Sequence, residues 1–186
     1  MTTFYFVRHA ESPFIEGKER SRRLSAEGSL AAVRVKELLL GEGIDVIISS
    51  PYQRAKDTVQ PLADALGLPI AEQEDLRERN AGDFQGHSFL DAKKILFQDP
   101  ATSFPGGESS KTAQSRAVQV LEEILNTHIG KRVVIGTHGD IMTLMLQHYD
   151  QRFDYQFWQG MTLPDIYRVE FEEGRLANTA RLWSEQ

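Results

Sequence analysis

There is no cysteine among the 186 residues of this chain. That excludes disulfides, thiol nucleophiles and cysteine-ligated zinc, and it fits a reducing, cytoplasmic setting. Positive charge is also in short supply: 21 Lys and Arg against 27 Asp and Glu leave a net charge of −6. Sequence-independent binding to nucleic acid is driven by positive charge, so no nucleic-acid partner is expected. No apolar run reaches membrane-spanning length, and the first residues already read as a strand; neither a membrane partner nor a signal peptide is expected. A G-x-x-x-x-G-K-[ST] loop is missing, and no G-x-G-x-x-G follows Val7, which removes the P-loop and dinucleotide readings. The histidines, at 9, 87, 128, 138 and 148, form no compact ligand string, so no metal is expected.

What is present is ordinary for a globular protein, with 40% apolar and 26% charged residues. The length suits one domain over residues 1–186 with a sizeable core. Thr2 to Val7 is apolar enough on both faces for a central strand of a parallel sheet. Polar residues 11–24 read as a loop carrying Lys18, Arg20, Arg22 and Arg23. Ser25 caps a helix whose apolar side is expected at Leu30, Val33, Leu38 and Leu39; Gly28 stands where a reciprocal capping acid would be. Val46–Ile48 is a strand, and a helix follows from about Tyr52, interrupted at Pro61. A short strand covers 68–70. Residues 75–107 are irregular, with a short helix near 90–97. A long helix spans about 108–128, Arg132 to Ile135 is a buried strand, and Ile141 to Leu146 begins another helix. Ile166–Phe171 and Leu176–Leu182 read as a late hairpin around Glu173-Gly174-Arg175. The alternation predicts a three-layer α/β/α sandwich with a mostly parallel, mixed central sheet.

Two histidines stand just past buried-type strands, His9 in Arg8-His9-Ala10-Glu11 and His138 in Gly136-Thr137-His138-Gly139-Asp140. Strand ends at the carboxyl edge are where open α/β proteins put chemistry. Neutral imidazole is a competent nucleophile toward phosphorus, provided its other nitrogen is held by a hydrogen bond, which a backbone carbonyl of the following loop could accept. Arg8 and Arg54 offer planar forks of donors to phosphoryl oxygens, although Arg54 alone reads equally as a solvated helix arginine. Close to a phosphate, His138 could be protonated and stabilise developing charge, and its flanking glycines allow close approach or mark a tight turn. A carboxylic acid at Glu78 could protonate a leaving oxygen; taken alone it reads as a solvated acid.

Phe6-Val7-Arg8-His9-Ala10-Glu11-Ser12 resembles the signature of the histidine phosphatase superfamily, in its phosphoglycerate-mutase-like branch. Ser49–Thr58, Leu76-Arg77-Glu78, Phe104–Ser109 and Thr137-His138-Gly139 agree with that branch in order and spacing. The resemblance implies a phosphoglycerate-mutase-like fold without metal or nucleotide cofactor. It makes His9 the phosphorylated nucleophile, Glu78 the proton donor, and Arg8, Arg54 and His138 the holders of the phosphoryl group. Glu11 and Thr137 would be polar members of the pocket. Ala10 departs from the usual glycine, and Ile15 stands where the mutases commonly carry asparagine, which counts against mutase activity.

The reading is a metal-independent phosphomonoester hydrolase acting on a small phosphorylated metabolite through a phosphohistidine. A phosphoglycerate-type mutase and a catalytically weak phospholigand binder or interaction protein are the alternatives. Arg22 and Arg23 either recognise a second anionic group or belong to a solvated loop. Phe14, Phe84, Phe89 and Phe104 fit a pocket for an apolar body or core packing equally. Phe153, Tyr155, Phe157 and Trp158 could close the core, cover the site or build a homodimer face.

Overall fold

Neighbouring side chains of a strand point to opposite faces, so a run that is apolar at every position needs cover on both. Phe4–Val7 is such a run. The computed structural model, which describes residues 1–184, buries all of it. It lies in β1 (Thr2–Arg8), one of six strands with β2 (Val46–Ser49), β3 (Ile70–Glu72), β4 (Arg132–Thr137), β5 (Asp165–Glu172) and β6 (Arg175–Arg181). Their order is β3-β2-β4-β1-β5-β6. The first four are mutually parallel; β5 runs antiparallel to β1, and β6 antiparallel to β5. The turn between them is Glu173-Gly174, both with positive φ, as a two-residue hairpin turn requires.

Helices cover both faces: α1 (Ala26–Leu39), α2 (Gln53–Leu66), α3 (Phe89–Gln98), α4 (Ser110–Thr127), α5 (Gly139–Tyr149) and α6 (Tyr155–Gln159). Tyr5, Val7, Ile47 and Val134 pack with Val35 and Leu39 of α1 and Val59 and Leu62 of α2. Phe4, Phe6, Val133 and Ile135 pack on the other side with Leu121 and Ile124 of α4 and Ile141 and Met145 of α5. Each fully buried side chain of this size stabilises by roughly 1.5–3 kcal/mol. A slip of β1 by one residue would exchange the two sets, which fixes its register. This is the expected α/β/α sandwich with a mixed sheet.

Two expectations are corrected. The apolar side of α1 is not Leu30, Val33 and Leu38, which are exposed; Leu30 is 70% exposed. The buried stripe is Gly28, Ala32, Val35 and Leu39. Gly28 sets it, because a Cβ there would stand 2.2 Å from the Glu11 carbonyl oxygen. Small residues on that stripe let the helix come close to the loop and to α2. The short strand begins two residues later, at Ile70. The interruption expected at Pro61 is the loss of a hydrogen bond: α2 runs on through it with one fewer, since proline has no amide to donate. The aromatic segment forms α6, and Phe153 and Trp158 close the core over α5.

Candidate active site

Parallel β1, β2 and β4 end side by side, so whatever follows them in sequence meets at one sheet edge. His9 follows β1, Ser50 and then Arg54 follow β2, and His138 follows β4. Glu78 arrives from the loop after a single helical turn at Glu74–Leu76.

His9 has a defined tautomer. Its Nδ1 lies 2.7 Å from the carbonyl oxygen of Ala10, which can only accept, so Nδ1 carries the proton. Its Nε2 receives the Nε–H of Arg54 at 3.2 Å, so Nε2 holds a bare lone pair. Burial, then the Arg54 cation, hold His9 well below the ordinary imidazole range. The ring is neutral, and a neutral imidazole with a bare Nε2 is chemically able to act as a nucleophile.

Arg54 is buried, and its other donors go to the Glu19 carbonyl oxygen (2.6 Å) and carboxylate (3.2 Å). The same carboxylate lies 3.5 Å from Arg22 Nε. An acid of the chain itself therefore sits on the cations where a ligand anion would go. Arg8 donates Nη1 to the carbonyl oxygens of Met161 (3.1 Å) and Thr162 (3.2 Å), while its buried Nε has no partner among the described residues. Gly139 makes room for this guanidinium: a Cβ there would meet Arg8 Nε at 3.1 Å. Gly136 likewise admits Ser49 Oγ and α2. The glycines around His138 serve approaches within the protein, and neither has positive φ.

His138 is sealed beneath the surface, its ring 5.3 Å from that of His9 and 5.2 Å from that of Tyr52. Nε2 lies 2.7 Å from Ser50 Oγ, and that oxygen accepts the amide of Tyr52, leaving its own proton for Nε2. The other nitrogen, Nδ1, has no partner among the described residues. Burial and then Arg54 hold this imidazole well below its ordinary range too. With no anion beside it, the ring is therefore held neutral.

Glu78 faces the start of α5. Its Oε1 accepts the amides of Arg79 (2.9 Å) and Ile141 (2.9 Å), and its Oε2 that of Asp140 (3.1 Å). Such amides favour the carboxylate, as does Lys93. Burial and then the neighbouring Asp140 charge outweigh them and push Glu78 up. Asp140 behaves oppositely: burial pushes it up, but Lys93 and Arg79 bring it down to about 2. Its Oδ2 receives Arg79 Nε (2.9 Å) and Nη2 (2.8 Å) and Lys93 Nζ (2.6 Å), all buried. Two neighbouring carboxyls are thus shifted in opposite directions. Replacing Asp140 with Asn strands both cations in the interior, and about 3 kcal/mol or more of stability should be lost. Urea unfolding of Asp140→Asn reads this directly; a loss below ~1 kcal/mol would show that the cations find other partners.

Arg8, His9, Glu19, Arg22, Arg54, Glu78, Arg79 and Asp140 line one cavity of about 800 Å³. Thr137 is buried beneath it, with Oγ1 unpartnered among the described residues. Glu11 and Arg23 lie elsewhere. Glu11 faces a separate groove beside Gly28, and Arg23 pairs with Asp57 at 2.9 Å on the surface. Arg22 and Arg23, neighbours in sequence, point to different places. Sequence reasoning missed Glu19, Ser50, Tyr52, Arg79, Lys93 and Asp140. Ser50 and Tyr52 stand inside the stretch that drew attention to Arg54, and Arg79 and Asp140 adjoin Glu78 and Gly139. No local signal marks Lys93.

Among the described residues no group of three or more His, Cys, Asp or Glu is arranged to hold a metal ion, and no helix is long and apolar enough to cross a membrane. The family model described as histidine phosphatase superfamily (branch 1) matches residues 4–185. A protein of Arabidopsis thaliana named phosphoglycerate mutase-like protein 4 is 34% identical over 151 residues, covering 73% of this chain and 66% of that protein. Another from the same plant, named metal-independent phosphoserine phosphatase, is 31% identical over 158 residues, covering 76% and 66%. The solved structure of phosphoserine phosphatase from Entamoeba histolytica in complex with 3-phosphoglyceric acid has the same fold. Its TM-score is 0.81 at 21% identity, covering 100% of this chain and 98% of that one.

Proposed function

Because the chain belongs to branch 1 of the histidine phosphatase superfamily, we propose that it hydrolyses phosphomonoesters through a phosphohistidine at His9. Phosphatase or mutase chemistry on small phosphorylated metabolites is the family's activity; the hydrolytic route and the residue roles are the reading argued here. The observation that carries it is the tautomer of His9, with Nδ1–H on a carbonyl and Nε2 bare.

The substrate phosphoryl group displaces Glu19 from Arg54, and Arg54 releases His9 Nε2. Arg8, through its unpartnered Nε, and Arg54 then take phosphoryl oxygens; His138 donates from Nδ1 in the tautomer in which its Nε2 accepts the Ser50 hydroxyl proton. The Nε2 lone pair attacks phosphorus in line. The bond from phosphorus to the leaving oxygen breaks, and that oxygen keeps the electron pair and takes the proton of Glu78. In the second step the Glu78 carboxylate takes a proton from water. The water oxygen attacks phosphorus, the N–P bond breaks with its pair returning to Nε2, and inorganic phosphate leaves. Ile15 is exposed and does not line the cavity, so that position offers no contact to a retained intermediate.

The test is phosphate release from sugar, nucleotide, glycerate and aryl phosphates in EDTA, with rapid acid-free quenching in parallel. Release is expected with an acid-labile, alkali-stable phosphoryl group on the protein. Release without any such group would point to direct attack by water, and isomerised ester without release to a mutase.

A further inference from the structure

Five cations line the cavity, and most already hold a partner. Arg79 and Lys93 close on Asp140. Arg22 donates to the Ser12 carbonyl oxygen at 2.6 Å and lies against Glu19. That leaves Arg8 and Arg54 for the phosphoryl seat. Away from that seat a second anionic group on the substrate would find only Arg22, which is held by the Ser12 carbonyl, shares Glu19 with Arg54 and keeps one buried donor, Nε, without a hydrogen bond among the described residues. It would otherwise meet Asp140, already closed on its own cations. The rest of the lining is of another kind. Phe14 (75% exposed), Phe89 (57%) and Leu163 (45%) all open on the same cavity as His9. Phe84 and Trp158 extend them: the ring centres of Phe84 and Phe89 are 6.1 Å apart, and those of Phe89 and Trp158 5.9 Å. Phe104, by contrast, is buried behind Phe84 and belongs to the core.

Exposed apolar side chains are ordinary when scattered, but converging ones mark a binding surface. These come from three separate stretches of chain, the loop after β1, the segment around the start of α3, and the turn before β5, and they converge on one opening. The volume exceeds what a phosphoryl group fills and is of the size that small-molecule sites use.

We propose that the leaving group of the substrate is an uncharged apolar body, aryl or alkyl, seated among Phe14, Phe84, Phe89, Trp158 and Leu163. A carboxylate-bearing metabolite does not fit the same wall. The proposal rests on the phosphoryl seat identified above, and it goes beyond it by naming the class of ester. Rings gain from apolar burial and from edge contacts with other rings, and the seat at the bottom fixes only the phosphoryl end.

Phosphonates test it without turnover, since their C–P bond is not cleaved by this chemistry. Calorimetry would compare methylphosphonate, 3-phenylpropylphosphonate and 3-phosphonopropionate on the intact protein. The phenyl ligand should bind tenfold or more tighter than methylphosphonate, a gain of about 1.4 kcal/mol. The carboxylated ligand should gain nothing. In a Phe14→Ala, Phe89→Ala double variant the ratio between phenyl and methyl ligands should fall toward one. Both side chains are exposed, so folding is not at stake. A carboxylated ligand that matches the phenyl one overturns the proposal, and so does a phenyl advantage that survives the double substitution. A protein that prefers the phenyl ligand yet releases phosphate from no ester would overturn the hydrolytic reading and leave this one standing.

Discussion

Substituting His9 with alanine should lower phosphate release by about 10⁴-fold or more, the scale on which removal of a catalytic nucleophile is felt. No neighbour replaces it. His138 is sealed behind the His9 ring and its Nε2 is occupied by Ser50. Arg8 and Arg54 stay in place, so a phosphate ester should still bind, and the loss should fall on kcat with little change in KM. The removed ring's hydrogen bonds are to the Ala10 carbonyl and from Arg54, and its ring contact is with His138, all at the pocket floor, which limits the loss of stability. Steady-state kinetics and quench trapping of the variant check both parts. Residual activity within ~100-fold of the parent, with no phosphoprotein, would mean that water rather than His9 attacks phosphorus.

Glu78→Gln is expected to cost roughly 10²–10⁴-fold, the usual range for a general acid. The size should depend on the leaving group. An alkyl alcohol leaves only with a proton, so alkyl phosphates should lose the full factor. A nitrophenolate leaves readily without one, so 4-nitrophenyl phosphate should lose much less in the first step. The pH profile gives a second reading. In the proposed route His9 acts when neutral, above its depressed pKa, and Glu78 acts when protonated, below its raised one. Activity of the parent should therefore peak in the interval between and decline as pH rises through the Glu78 pKa. In Glu78→Gln that alkaline decline should disappear from kcat/KM. A decline that persists unchanged, or a loss equal for alkyl and nitrophenyl esters, would remove Glu78 from the proton transfer.

What the sequence made legible follows from how local each cause is. Phe4–Val7 and Val133–Ile135 announce buried strands because continuous apolar character has few other uses. The arginine–histidine pair after one of them and the histidine after the other then fall at the same sheet edge through topology alone. The buried face of α1 was not legible. Leu30, Val33 and Leu38 outweigh Ala32 and Gly28 on any apolar scale, yet the glycine wins through contact with the Glu11 backbone, which is distant in sequence. The support of Glu78 was hidden for a similar reason. Arg79, Lys93 and Asp140 look like three unrelated charges on a loop and two helices until the fold brings them onto one carboxylate. Arg22 and Arg23 read as one basic cluster, but successive residues of a loop diverge, and only Arg22 reached the cavity.

Glu19, lying on Arg54, has one more consequence. A tethered anion competes at an effective concentration set by its chain, typically millimolar, whatever the solution holds. An incoming ester must outbid it at every turnover, which weakens apparent affinity, but spent phosphate meets the same rival on the way out. On the proposed hydrolytic route, product that would otherwise linger on Arg8 and the buried Arg54 would be evicted by one of the chain's own side chains. Such an arrangement would favour throughput over retention, the opposite of what a catalyst needs when it must keep hold of its phosphoryl donor between half-reactions.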